Sequence, residues 1–469
     1  MKKIVFALMA LVIGLSSCDR NFEEINTNPN DPTEVPNTNV LLASLISGMD
    51  RIHGASMNMT YAGLWAQHYA KIQYIDEDRY AYRPSAIDAH WTGLYAGPLF
   101  DLKDIVNNTT DAEPNMQAAA ITLKVYYMSV VADMWGNVPF AEALQGADNT
   151  SPVYDSQSDV YAGMIEMLAD AAGMFDATAD DLGIGDIMFN GDVSKWQKFA
   201  NSLRVRLLVR TSGRNPGALA EAATILASEP VMMDNSDNAG FEYVGDATYS
   251  NPIYENKYVD GRDDHSVSET LVDLMNAGGF SSVMDPRLPI YAEMNDNGDY
   301  VGQPNGSIEP SDFGLISRIG AAFRDTPTAP VYAMTYADLL FLSAEINQSK
   351  ADYLAAIAAS HDQHGATADA TYLADADAAW DADWQRALGE QKWIALFGNG
   401  AEAFAEVRRL DHPVLAEPSR SVYPGQGVPV RFPYASTENL TNGTNLSAAE
   451  SDQGVGASGL FAKVWWDVN

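Results

Sequence analysis

The stretch from Phe189 to Gly213, FNGDVSKWQKFANSLRVRLLVRTSG, most narrows what this chain can fold into. Ser194 followed by Gln197 reads as a capping box, Asp192 adds negative charge at the amino end, and Gly213 is placed to stop a helix in a left-handed conformation. Trp196, Phe199, Ala200, Leu203 and Leu207 recur at i, i+3, i+4, i+7 and i+11, so one face is apolar and must be covered by other helices. A helix of about five turns that needs such cover commits the chain to helix-on-helix packing. Lys195, Lys198, Arg204, Arg206 and Arg210 sit on it although the chain has only 28 basic residues against 63 acidic ones. That predicts pairing with carboxylates inside a packed layer, the alternative being an anion site.

Helical spacing recurs from Val40 to Ile52, Thr60 to Gln73, Ala86 to Asn107 and Asn115 to Met134, with Pro114 at the head and Gly136 at the tail of the last. Further helices are expected from Tyr154 to Phe175, Asn215 to Ala227, Ser266 to Ala277, Tyr332 to Asn347, Trp384 to Phe397 and Ala401 to Leu410. With 46% hydrophobic residues the chain can build a sizeable core. The fold class is therefore mostly α. Antiparallel helix pairs with small residues at their crossings suggest a tetratricopeptide-like stack, although the 34-residue consensus is not cleanly repeated. The segment of about 230–265 is rich in Asn, Asp, Tyr and Gly and is expected to be an irregular insertion.

The amino end predicts export. Lys2 and Lys3 precede an apolar run from Ile4 to Leu15, too short to span a membrane. Leu15-Ser16-Ser17-Cys18 then fits a lipobox, with residues 1–17 as signal peptide and Cys18 as the lipidated (palmitate-bearing) amino terminus. Cys18 is the single cysteine, so no intrachain disulfide contributes to stability. Residues 18–39 read as an irregular tether and 40–469 as the folded domain. A formal net charge of −35 repels nucleic acid and disfavours polyanionic ligands.

Several runs together resemble the SusD/RagB-type nutrient-binding outer-membrane lipoproteins. GD-x-x-KW-x-KFANSL-x-x-R from Gly191 to Arg206 is similar to that family's signature helix, and NTNPNDP from Asn26 to Pro32 to its leading segment. ADMWGNVPFAEAL from Ala132, DPRLP-x-YA from Asp285 with the following Gly-Asp hairpin and G-x-P-NG, MTYADL from Met334, and PVRFPYASTENLTNGTN from Pro429 follow in the family's order. The resemblance implies a helical scaffold with tetratricopeptide-like pairs, a second irregular insertion at about 280–330 that carries the DPRLP-x-YA run, and an irregular region that holds the ligand site. It also implies a lipid-anchored position at the outer-membrane surface, over a SusC-like TonB-dependent transporter, with an oligosaccharide or peptide ligand and no cofactor.

No Walker loop, complete GxGxxG, GxSxG elbow or HExxH is present. His361 and His364 lie in SHDQHGATADA, which reads as a linker rather than a metal site, and Asp296-Asn297-Gly298-Asp299 reads as a hairpin turn rather than a calcium loop. No catalytic or metal-ligating residue is assigned. A sugar ring presents an apolar C–H face and a hydroxyl rim, so capture needs flat aromatic rings beside polar partners. Two loops offer that mixture: QYIDEDRYAYRP, with Tyr74, Arg79 and Tyr80, and Phe241 to Tyr258, with Tyr249, Asn251 and Tyr254. The competing reading is that these aromatics cement loops onto helices. A surface glycosidase or peptidase, and an adhesive lipoprotein binding other proteins, are the alternative functions.

Overall fold

In the computed structural model, which describes residues 35–246, 249–308 and 312–469, the helix Val193–Thr211 lies at the centre of the scaffold. The expected signal peptide, Cys18 and most of the tether lie outside the described residues. Trp196, Phe199, Leu203 and Leu207 are all buried, packed against helices Gln157–Met174 and Ala218–Ser228. Both helix ends differ from the sequence expectation. Asp192, not Ser194, caps the amino end, its carboxylate accepting from the Ser194 and Lys195 amides. Gly213 does not adopt the left-handed conformation. A Cβ there would lie 2.8 Å from Val468 Cγ2, so glycine is needed for the close approach of the carboxyl-terminal tail.

The basic residues of this helix are mostly paired with carboxylates. Lys198 meets Asp237 at 2.9 Å, Arg204 meets Glu221, Arg206 meets Asp338 at 2.6 Å, and Arg210 meets Glu402 and Glu406, each at 2.6 Å. Lys195 instead donates to the Ser236 carbonyl. Lys392, completely buried, joins Asp338 and Glu406 at 3.1 and 2.8 Å, so the cluster ties four helices together.

Other motifs are structural locks between distant segments. Pro114–Trp135 ends at Gly136 (φ 82°), as expected, and the chain after it docks on the 430s. Trp135 Nε1 donates to Pro433 O (2.8 Å), the Phe432 amide to Met134 O (2.7 Å), and Tyr434 OH to Asn137 O (2.6 Å). Asp285 and Arg287 form a fully buried pair at 2.7 Å, which Tyr372 and Gln391 complete. This lock pins the second insertion to helices Ala370–Ala382 and Trp384–Ala395.

The structure is mostly helical, with two short two-stranded sheets, Tyr69–Lys71 with His265–Val267 and Ala239–Phe241 with Val331–Met334. Several expected helices are interrupted. The segment 60–73 contains the end of a π-helical stretch, Ala55–Ala62, a single turn and then a strand, while 86–107 is broken by a π turn at Tyr95–Leu99 that contains Pro98. Proline lacks the amide that an unbroken ladder needs. The SHDQHG run is not a linker. Lys350–Gln363 is a helix packed antiparallel to Tyr336–Asn347, and His361 is buried with Nε2 at 3.3 Å from Asp285.

Candidate ligand-binding surface

Strand pairing sets the site. Tyr69–Lys71 runs antiparallel to His265–Val267, with Lys71 opposite His265, so the loop after the first strand emerges beside the loop before the second. The first is the aromatic stretch QYIDEDRYAYRP, and the second, 259–264, directly follows the aromatic stretch Phe241 to Tyr258. Their contact is visible in the Arg262 guanidinium, 5.4 Å from the centroid of the Tyr74 ring. Such cation–π placement orients the ring and leaves it accessible. Tyr74 remains 62% exposed.

The first loop is held rigidly beneath that ring. Glu77 is buried and pairs with Lys71 (2.7 Å) and Arg83 (2.6 Å). Asp78 accepts from the Lys71 amide (2.9 Å) and from Asn305 Nδ2 (2.6 Å), and burial raises its pKa to about 6. Asn305 belongs to the G-x-P-NG run, which explains that motif as a clamp on the loop. Tyr74 and Tyr80 both adopt left-handed φ, 52° and 70°, a conformation that non-glycine residues hold only where surroundings enforce it.

The second loop contributes the helix Pro252–Tyr258, capped by Asn251, whose side-chain oxygen accepts from the Ile253 amide (2.8 Å). Tyr254 and Tyr258 lie one turn apart with ring centroids 4.6 Å apart. Lys257 Nζ sits 4.6 Å from the Tyr258 ring and 2.5 Å from Asp325, which also accepts from Tyr258 OH at 3.0 Å. Half-exposed rings thus stand beside fixed charged and hydroxyl groups.

Of the six residues expected to bind ligand, Tyr74, Tyr249 and Tyr254 are at least partly accessible, and Arg79 is half-buried with one nitrogen on Asp76 (2.7 Å). Tyr80 faces the core, 2% exposed and edge-on to Trp65 at 6.4 Å, and Asn251 is buried, its amide donating to Ala329 O (3.0 Å). Both side chains are turned inward, away from the exposed rings. Sequence reasoning passed over Arg262, Lys257 and Asp325. Lys257 lies inside the second aromatic stretch and Arg262 just beyond it, whereas Asp325 reaches the face from a separate segment that no local pattern links to it.

The sequence matches the family described as SusD-like_2, "Starch-binding associating with outer membrane", over residues 29–435. The chain belongs to the SusD-like family. A solved structure named as a chitin-binding protein superposes with a TM-score of 0.80 at 25% identity, covering 92% of this chain and 100% of that one. A chitin-binding SusD homolog from Flavobacterium johnsoniae gives 0.79 at 24% identity, covering 92% and 99%. A SusD homolog from Bacteroides uniformis gives 0.78 at 24%, covering 93% and 100%. No curated protein matches the chain. SusD-like membership accounts for the helical scaffold and the motif order. Among the described residues no helix is long and apolar enough to cross a membrane.

Proposed function

We propose that this SusD-like protein is a cell-surface lipoprotein that captures oligosaccharides on the tyrosine face and hands them to a SusC-like TonB-dependent outer-membrane transporter, without catalysis. The observation that carries this reading is the strand pair that sets Tyr74 against Arg262, whose amide donates to Asn256 O (2.8 Å) in the helix that carries the Tyr254–Tyr258 pair. Flat exposed rings bind the apolar faces of sugars at small entropic cost, and the charged rim hydrogen-bonds hydroxyls. The relative named as chitin-binding at 25% identity supports a neutral glycan, and the net charge of −35 argues against polyanions.

An open, wet face should bind at about micromolar affinity, roughly −8 kcal/mol. Calorimetry with chitin, starch and peptide oligomers tests the assignment, with chromatography of the recovered ligand. Binding of an oligosaccharide returned intact supports it; binding of peptides alone, or cleavage of the glycan, refutes it. The lipid anchor is assigned to Cys18. Incorporation of labelled palmitate should vanish in Cys18→Ala, and its persistence would place the anchor elsewhere.

A further inference from the structure

Behind the tyrosine face lies a cavity of about 240 Å³. The helix Pro252–Tyr258 separates the two: Tyr254 and Tyr258 pair outside, whereas Ile253 and the capping residue Asn251 line the cavity. Another part of the wall is aromatic. Phe323 and Phe397 both line it and meet edge to face at 5.1 Å, and Tyr291 stacks on Phe397 at 4.5 Å. This is a stiff apolar surface of the kind that accepts one face of a ring.

Several polar groups of the wall are already engaged. Arg206 spends its guanidinium on Asp338 (3.0 and 2.6 Å) and on Ala333 O (3.0 Å), so it offers a ligand no free cation. Asn58 donates to His53 O and Gly398 O and accepts from the Gly400 amide. His364 lines the cavity, and its Nε2 is buried with no hydrogen-bond partner among the described residues. Burial lowers its pKa to about 4, so at neutral pH the ring is uncharged, and Nε2 can accept or donate one hydrogen bond according to tautomer. A buried polar atom without a partner is costly, and a ligand hydroxyl or amide would relieve that cost.

We propose that this cavity is a second binding site, which takes one uncharged sugar residue with its ring on the Phe323–Phe397 wall and a hydrogen bond to His364. The inference rests on the reading of the outer face as glycan-binding. Size limits the occupant to a single residue, since the cavity falls below the roughly 300–1,000 Å³ typical of pockets for drug-sized ligands. Charge limits it further, because a uronic acid would bring a carboxylate to a wall whose guanidinium is fully paired. A small uncharged end group held here would let the protein register the end of a chain whose body lies on the tyrosines.

Ala322 lines the cavity and is exposed, so it marks where the cavity meets solvent and where a large side chain can be added without disturbing the core. The test is calorimetry and saturation-transfer NMR on the full folded domain, with N-acetylglucosamine, glucose and glucuronate as probes. One of the neutral sugars should bind at about 1 mM. Ala322→Trp should weaken it at least about tenfold, and His364→Ala by several-fold, while Leu219→Trp on the exposed scaffold surface leaves it unchanged. Equal binding by Ala322→Trp and His364→Ala, or binding of glucuronate as tight as that of the neutral sugars, overturns the proposal. If oligosaccharides bind the wild type but no single sugar does, the cavity site fails and the outer face stands. If no sugar of any length binds, both readings fail.

Discussion

The charged cluster around the Val193–Thr211 helix and the tyrosine face use similar residue types to opposite ends. In the cluster, Arg206, Arg210, Lys392 and Arg409 are held by Asp338, Glu402, Glu406 and Glu345 at 2.6 to 3.1 Å, and most are nearly inaccessible. Carboxylates crowd there closely enough that burial and the nearby Asp338 and Glu406 raise the Glu402 pKa, whereas Arg409 and Lys392 hold Glu406 well below its usual range despite burial. On the face, the Arg262 side chain is 54% exposed and Tyr74 is 62% exposed. Side chains that are buried and mutually satisfied fix the scaffold. Those left half in water keep bonding capacity for a ligand. Burial, more than residue type, separates support from function here.

The largest expected effect of acid falls on the interior alone. His53, His68, His90, His265 and His364 are withdrawn from water, which lowers their pKa values to about 4, 3, 4, 3 and 4. Each stays neutral in the fold but takes a proton in the unfolded chain below about 6.5, so its stabilisation is full above that pH and is lost as pH falls towards 4 and 3. Each contributes about 1.4 kcal/mol per pH unit in that window. Asp50 and Asp78 oppose this, because burial raises both to about 6, which adds stability as pH drops from 6 to about 3.8. Among these seven groups, five against two leave a net loss of about 4 kcal/mol per unit near pH 5. Urea denaturation at pH 7 and pH 5 should show it, and equal stability at the two values would contradict the neutral, buried histidines.

Arg210→Ala should come next, at about 3 to 5 kcal/mol, because it takes from buried Glu402 its nearest cation and from buried Glu406 one of three, with Lys392 and Arg409 remaining on the latter. A variant of unchanged stability would mean that the cluster is hydrated and not sealed. Trp196→Ala should cost about 3 kcal/mol, chiefly through the cavity it leaves, with the loss of the indole's hydrogen bond to Asp186 (2.9 Å) besides. Ligand affinity per folded molecule should not move in either variant. Selective loss of binding in a stable Trp196→Ala protein would erase the distinction between the two regions.

Much of the scaffold was legible because its signals are local and periodic. The apolar stripe from Trp196 to Leu207 gave the central helix, and Pro114 with Gly136 gave the limits of another. Helix ends and interruptions were less legible, since Asp192 and Ser194 are equally good caps on paper and only tertiary contact shows that Gly213 makes room for Val468. The helix Lys350–Gln363 was missed because its polar, alanine-rich sequence hides a face that packs against Tyr336–Asn347, two later helices and Asp285. The candidate site was half legible. Composition found both aromatic loops, but Tyr80 and Asn251 are buried by Trp65 and Ala329, partners that no local pattern reveals. Arg262 and Asp325 join the face only through strand pairing and the approach of a remote segment.

Oligosaccharide calorimetry on the Tyr74→Ala, Tyr254→Ala and Tyr258→Ala triple variant, beside the wild type, tests the central claim most directly. Each ring stacked on a sugar should contribute about 1 kcal/mol, so the three together predict affinity about 100-fold weaker, with the urea midpoint nearly unchanged because the rings stand at the surface. Wild-type affinity in a folded triple variant would contradict the account.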